Sequence, residues 1–212
     1  DMYIAGSYDD PNRRFACYWK NGARVDLAVP AGSTYPRGNG VAVSGSDIYV
    51  IGYNREADSR WVPCYWKNGV YTLLSAVGNS VRVSEATSVF VSNGNVYISG
   101  NNYDGDESVV CVWKNGERTD YDALPGSISA FAASLAVVGA DIYVAGTCYY
   151  DIGESVPCLW VNGTPTALDL PAGAAVGSAN SLAVEGADVY VAGTYDVVYN
   201  KSVPCYWKNG AH

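Results

Sequence analysis

A short element, Cys-x-Trp-x-Asn-Gly, returns five times in this chain, as Cys17 to Gly22, Cys64 to Gly69, Cys111 to Gly116, Cys158 to Gly163 and Cys205 to Gly210. Its cysteines are 47 residues apart at every step. A second element, Asp-x-Tyr-x-x-Gly in four copies and Asn-x-Tyr-x-x-Gly in the third, begins at Asp1, Asp47, Asn95, Asp141 and Asp188, with steps of 46, 48, 46 and 47. A third stands four times, as Val41-Ala42-Val43, Val89-Phe90-Val91, Leu135-Ala136-Val137 and Leu182-Ala183-Val184. Self-similarity at this period means one supersecondary unit, repeated, that buries its apolar faces on its neighbours. The chain must fold as an array.

One unit reads as four strands. Strand A is the Leu-Ala-Val element, and a Gly-containing turn such as Ser44-Gly45-Ser46 leads to strand B, the Asp-x-Tyr element. A longer polar loop leads to strand C, which carries the cysteine and tryptophan. Asn-Gly then closes a hairpin into strand D, for example Arg24-Val25-Asp26-Leu27, because this dipeptide tolerates φ > 0 at both central positions of a type I′ turn. Pro-Gly segments such as Pro30-Ala31-Gly32 break the ladder after strand D and start a loop of about ten residues. The prolines before three of the cysteines, Pro63, Pro157 and Pro204, cannot donate to a ladder and are expected at the first residue of strand C or at a bulge.

Strands B and C are apolar at nearly every position, as in Ile142-Tyr143-Val144-Ala145 and Val156-Pro157-Cys158-Leu159-Trp160, so both sheet faces are covered. Four-stranded antiparallel sheets buried on both faces and repeated every 40 to 50 residues define the expected fold: all-β, a β-propeller of five visible repeats. The first repeat lacks strand A and the last lacks strand D. Residues 1–212 are therefore expected to form one propeller domain, a portion of a longer repeat protein. Composition agrees, with 23 glycines, 18 tyrosines and 6 tryptophans against one methionine and one histidine.

Charge and pattern exclude several functions. The formal net charge of −8, with no basic cluster, argues against a nucleic-acid partner. No apolar run approaches the roughly twenty residues of a membrane helix. The lone histidine is His212, so Ser-His-Asp and Cys-His chemistry have no base here, and no metal-ligand spacing or phosphate loop occurs. No cofactor, metal site or catalytic residue is expected. Paired carboxylates remain, and the acidic candidates Asp9, Asp10, Asp104, Asp106, Glu107 and Asp151 all fall between strands B and C, where acids are normally solvated. The five in-register cysteines read as small buried hydrophobes too far apart to pair. Cys148, at the end of a strand B, could reach Cys158 only if the hairpin register allows.

The loops between strands B and C vary in length and content, and variable loops on a rigid repeat scaffold are where binding usually resides. Tyrosines recur just past each strand B glycine, at Tyr8, Tyr53, Tyr103, Tyr149 and Tyr195, beside amides and carboxylates such as Asp104. Such groups suit sugar rings or protein surfaces, and equally they could cap the sheet packing with hydroxyls in water. Trp61 stands where three copies have Ser108, Ser155 and Ser202 and the remaining copy has Arg14. The candidate ligand-binding residues are thus Tyr8, Tyr53, Trp61, Tyr103, Asp104, Tyr149 and Tyr195.

These elements, Asp-x-Tyr-Val-Ala-Gly, Pro-Cys-Tyr-Trp-Lys-Asn-Gly and Ser-Leu-Ala-Val, resemble the repeats of uncharacterised bacterial β-propeller proteins, and the likeness covers the whole chain. The resemblance implies export or lipid anchoring, hence an extracellular, cell-surface or periplasmic location, and supplies no activity. The period is also similar to that of tachylectin-type five-bladed lectins and of WD40 propellers, whose Trp-Asp and Gly-His signatures are absent, so no binding residues carry over. The expected function is a non-catalytic scaffold, not an enzyme, that recognises a protein or glycan ligand through loops on one face. The alternatives are a structural repeat of a surface assembly or adhesin, and a glycan-active enzyme using loop carboxylates.

Overall fold

The computed structural model describes residues 1–212 except Asn12, 77–83, 105–106, Ile152 and 198–200, together with the side chain of Asp104. Every regular element among the described residues is a strand, and none of the described segments is a helix long and apolar enough to cross a membrane. The first repeat is a three-stranded antiparallel sheet of β1 (Tyr3–Asp9), β2 (Arg14–Lys20) and β3 (Ala23–Asp26). The second contains β4 (Thr34–Ser44), β5 (Asp47–Arg55), β6 (Trp61–Lys67) and β7 (Val70–Leu73) in that spatial order. The third contains β8 (Glu85–Ser92), β9 (Asn95–Asp104), β10 (Glu107–Lys114) and β11 (Glu117–Tyr121), again as a meander. The fourth is β12 (Ser129–Val138), β13 (Asp141–Tyr149), β14 (Ser155–Val161) and β15 (Thr164–Ala167); the fifth is β16 (Val176–Glu185), β17 (Asp188–Val197) and β18 (Lys201–Lys208). A single parallel bridge, Ser155 to Val176, joins these last two sheets.

The chain divides into two compact units, one of Asp1–Asp106 with Trp113–Arg118 and one of Glu107–Val112 with Thr119–His212. In the first, Ala16, Leu27, Val50, Cys64 and Trp66 form a core between the first and second sheets. In the second, Ala145, Leu159, Leu168, Val191 and Trp207 do the same for the fourth and fifth. Four tryptophans, Trp66, Trp113, Trp160 and Trp207, are fully buried, and each donates its indole N–H to a backbone carbonyl 38 residues upstream, of Ala28, Ser75, Asp122 and Asp169. Each acceptor follows strand D of the preceding repeat. Each of these four tryptophans thus anchors its strand C to backbone that follows a strand D, with a hydrogen bond that would be costly to leave unmade in a dry interior.

The polar residues of the repeat are structural as well. Asn68 accepts the Ile48 N–H at its Oδ1 and donates from Nδ2 to Asp47, while Lys67 reaches the other Asp47 oxygen at 2.8 Å and lies over the Tyr49 ring. Asp188, Tyr190, Lys208 and Asn209 repeat this clasp. In the fourth repeat Val161 replaces the lysine, and only the asparagine bonds of Asn162 remain. All five Asn-Gly pairs have positive φ at both residues, 51° and 84° at Asn21 and Gly22, as type I′ turns require.

The lysine hydrogen bond, then the asparagine amide, holds Asp47 and Asp188 below the ordinary carboxylate value, and Lys67 is pushed up to about 12. A depressed carboxylate contributes stability that is complete above its unfolded pKa, here 3.8, and is lost as pH falls through the folded value. The double variant Asp47→Asn, Asp188→Asn is expected to lose melting temperature less steeply than the parent between about pH 4 and pH 2, by circular dichroism melts. Parallel slopes would show that the clasp carries no such linkage.

Two local expectations are corrected. The prolines sit inside strand C, with Pro63 opposite Tyr53, Pro157 opposite Thr147 and Pro204 opposite Thr194. Strand D pairs only from Cys64 and Cys158 onward, and just beyond it Leu74 and Leu168 donate to the Pro63 and Pro157 carbonyls. The proline nitrogen thus points to the side where no ladder donor is needed. Strand A is also longer than its Leu-Ala-Val core, because its polar first half pairs with the end of strand B across a bulge, at Gly38/Gly40, Ala86/Ser88, Ala132/Ser134 and Ala179/Ser181.

Candidate functional site

The recurring tyrosines do not share one face. Counted from the strand B glycine, Tyr53 is one residue on, Tyr8 and Tyr195 two, and Tyr103 and Tyr149 three, and successive side chains of a strand point to opposite faces. Tyr8 stacks on Phe15 at 4.9 Å, carries the Arg24 guanidinium 3.8 Å above its ring and donates its hydroxyl to Asp26. Desolvation and then Asp26 raise its pKa. Tyr103 is partly buried in β9, and its N–H donates to Ser84. Tyr149, edge-on to Phe131, and Tyr195, edge-on to His212, belong to the second unit. The side chain of Asp104 lies outside the described residues, as does Asp106.

Two of the seven do meet. The Trp61 ring is 5.5 Å from the buried Tyr53, edge-on, and 6.1 Å from Tyr35, with the Arg55 guanidinium 5.8 Å from its centre. Tyr35 was not singled out by its sequence. It is half exposed and sits at φ 53°, a left-handed conformation that is rare for a bulky residue, where the β4 register slips between Thr34 and Arg37. Strain of this kind clusters at functional sites.

Beside this aromatic group lies a hollow of about 300 Å³ lined by Asp9, Asp10, Pro11, Arg13, Arg14, Thr34 and Tyr35. Arg14 clamps Asp9 with two hydrogen bonds of 2.8 Å, a fork that lowers the Asp9 pKa and raises that of Arg14. The fields of Tyr53 and Tyr35 also act on Arg14. Asp10 accepts the Arg13 N–H in its own turn. Arg14 and Trp61 occupy equivalent repeat positions, so the two copies that depart from serine are the two that border Tyr35 and Tyr53. That departure is the sequence signal for the site.

Among the remaining acids, Glu107 and Asp151 are exposed. Glu85, missed by sequence, differs. Its carboxylate accepts a hydrogen bond from Asn39 at 3.2 Å, opposite Asn101 in the ladder, and burial raises its pKa against the lowering effects of Asn39 and Arg37. A carboxyl that keeps its proton to higher pH is suited to proton donation. No group of three or more potential metal-ligating side chains occurs among the described residues.

No family model and no curated protein matches the chain. Solved structures do. An exo-1,5-alpha-L-arabinanase from a bovine ruminal metagenomic library is 8% identical over 97% of this chain and 87% of its own, with a TM-score of 0.50. AofleA from Arthrobotrys oligospora is 13% identical over 99% of this chain and 66% of its own, with a TM-score of 0.54. A subtype N11 neuraminidase-like protein of A/flat-faced bat/Peru is 10% identical over 96% of this chain and 72% of its own, at 0.50. The fold is therefore of the β-propeller type. These matches overturn the expectation that the chain is not an enzyme, because the fold it adopts is also that of an arabinanase. That His212 is the only histidine excludes nothing here, since two carboxylates suffice for glycoside hydrolysis.

Proposed function

We propose that this chain is a carbohydrate-directed β-propeller, in which a sugar ring docks against Tyr35 and Trp61 while Arg14, Asp9 and Asp10 meet its hydroxyls. The carrying observation is the strained, half-exposed Tyr35 beside Trp61 at the rim of a hollow with charged hydrogen-bonding groups. Sugars present apolar faces to aromatic planes and hydroxyls to charged partners, and this hollow offers both. The names of the arabinanase and the neuraminidase-like protein support the same substrate class. On this reading the repeats are propeller blades, the chain belongs with uncharacterised bacterial propeller proteins, and it acts outside the cell, on glycan. Tyr8, Tyr103, Tyr149 and Tyr195 then serve blade packing or secondary contacts.

A second reading is hydrolysis of that glycan, favoured by Glu85, a carboxyl that accepts a hydrogen bond from Asn39 and whose pKa is raised by burial against the lowering effects of Asn39, Arg37 and Asn101. One experiment addresses both. The intact chain is screened on a glycan array, the best ligand is titrated calorimetrically, and release of reducing ends is followed. Trp61→Ala and Tyr35→Ala are expected to weaken binding about tenfold or more with unchanged circular dichroism. Glu85→Gln is expected to bind normally and stop any release. A blank array together with no product from a broad oligosaccharide panel would sink the carbohydrate reading.

A further inference from the structure

The fourth repeat differs from its siblings at one buried position. Two residues past the strand B glycine stand Tyr8, Asn54, Asn102 and Tyr195 in the other copies, whereas here it is Cys148. In the hairpin register Gly146 faces Cys158 and Cys148 faces Val156, which places the two cysteines diagonally on one face of adjacent strands. Their Sγ atoms are 3.5 Å apart, and both residues are fully buried. Diagonal neighbours have Cα atoms about 7–8 Å apart, at or just beyond what a disulfide spans without a small approach of the two strands, so the sulfur contact, and not the register, carries the inference.

We propose that Cys148 and Cys158 form an intrachain disulfide when the protein folds in an oxidising compartment. The sulfurs need to close by about 1.5 Å to reach bonding distance, through side-chain rotation and a small approach of β13 to β14. In the folded sheet, contact with Cys158 lowers the Cys148 pKa against the opposing effect of burial, whereas Cys158 is raised by Cys148 and by burial.

The chemistry is thiol–disulfide exchange with a low-molecular-weight disulfide such as oxidised glutathione. The Cys148 thiolate attacks one sulfur of that disulfide, breaks its S–S bond and expels the first thiolate. Cys158, giving up its proton, then attacks the Cys148 sulfur and expels the second. Two protein thiols are oxidised, one external disulfide becomes two thiols, and the protons pass to the departing thiolates. Because both sulfurs are closed off in the folded sheet, exchange takes place as the β13–β14 hairpin assembles.

The test is a thiol count. Reduced, denatured chain is refolded in a glutathione redox buffer, quenched in acid, unfolded, treated with N-ethylmaleimide and mapped by mass spectrometry. Of the six cysteines, four are expected to carry the label, and one linked species should join the Cys148 and Cys158 peptides. Cys148→Ser is expected to label at all five remaining cysteines. Reduction of the wild-type protein should lower its melting temperature by about 5–10 °C, since the bond closes a loop of about eleven residues. Six labels, a link to any other cysteine, or glutathione retained on either sulfur would overturn the proposal, and the wild-type map decides even if the serine variant does not fold.

Discussion

Trp66→Ala is expected to destabilise the protein by about 3–5 kcal/mol, the range for removing a large aromatic side chain from a packed interior. The residue is fully buried among Ala16, Leu27, Val50 and Cys64, with its ring edge-on to Tyr71 at 5.7 Å. Its N–H donates to the Ala28 carbonyl at 2.6 Å, so alanine both opens a cavity and strands a buried acceptor. The same substitution at Trp19 provides the control. Trp19 is equivalent in the repeat, yet it is only partly buried. Its replacement is expected to cost about 1–2 kcal/mol, in keeping with partial burial. Urea unfolding followed by tryptophan fluorescence and circular dichroism measures both, and equal losses would show that full burial of the Trp66 ring is not what sets its cost.

The repeat made much of this architecture legible. A spacing of 47 and five Asn-Gly pairs are enough to require hairpins in register, and the turns adopt the positive φ values that chemistry demands. The hydrogen bond that each buried tryptophan makes 38 residues upstream was not legible, because its acceptor is a backbone carbonyl with no side-chain signature. The tyrosines misled for a related reason. They lie close in sequence but one, two or three residues past the glycine, and a one-residue difference in a strand exchanges faces. Trp61 was visible as a departure from the repeat, whereas Tyr35 depends on a register slip inside β4 that no periodicity marks. Glu85 was missed because its character comes from Asn39 and Arg37 on another sheet, contacts that are absent from its own repeat.

Gly52→Ala tests whether the bulge on strand A positions the candidate site. A Cβ at Gly52 would lie 1.8 Å from the Arg37 carbonyl oxygen and 2.8 Å from its carbon, backbone atoms that move only if the bulge is rebuilt. The equivalent positions Gly146 and Gly193 meet Phe131 and Ser178 in the same way, so the last residue of the Asp-x-Tyr-x-x-Gly element is glycine because a neighbouring carbonyl fills the space of a side chain. The expected cost of Gly52→Ala is about 3 kcal/mol, at the upper end for overpacking. Gly6→Ala should cost about 1 kcal/mol, because there the new methyl meets the partly exposed Trp19 ring, which can swing aside. The two variants should separate in function as well. Arg37 is two residues from Tyr35, so a displaced bulge relieves the left-handed conformation that holds Tyr35 against Trp61. Gly52→Ala is therefore expected to lose glycan binding below its melting temperature, while Gly6→Ala keeps it. Equal binding by both folded variants would separate the bulge from the site and leave Tyr35 without its structural support.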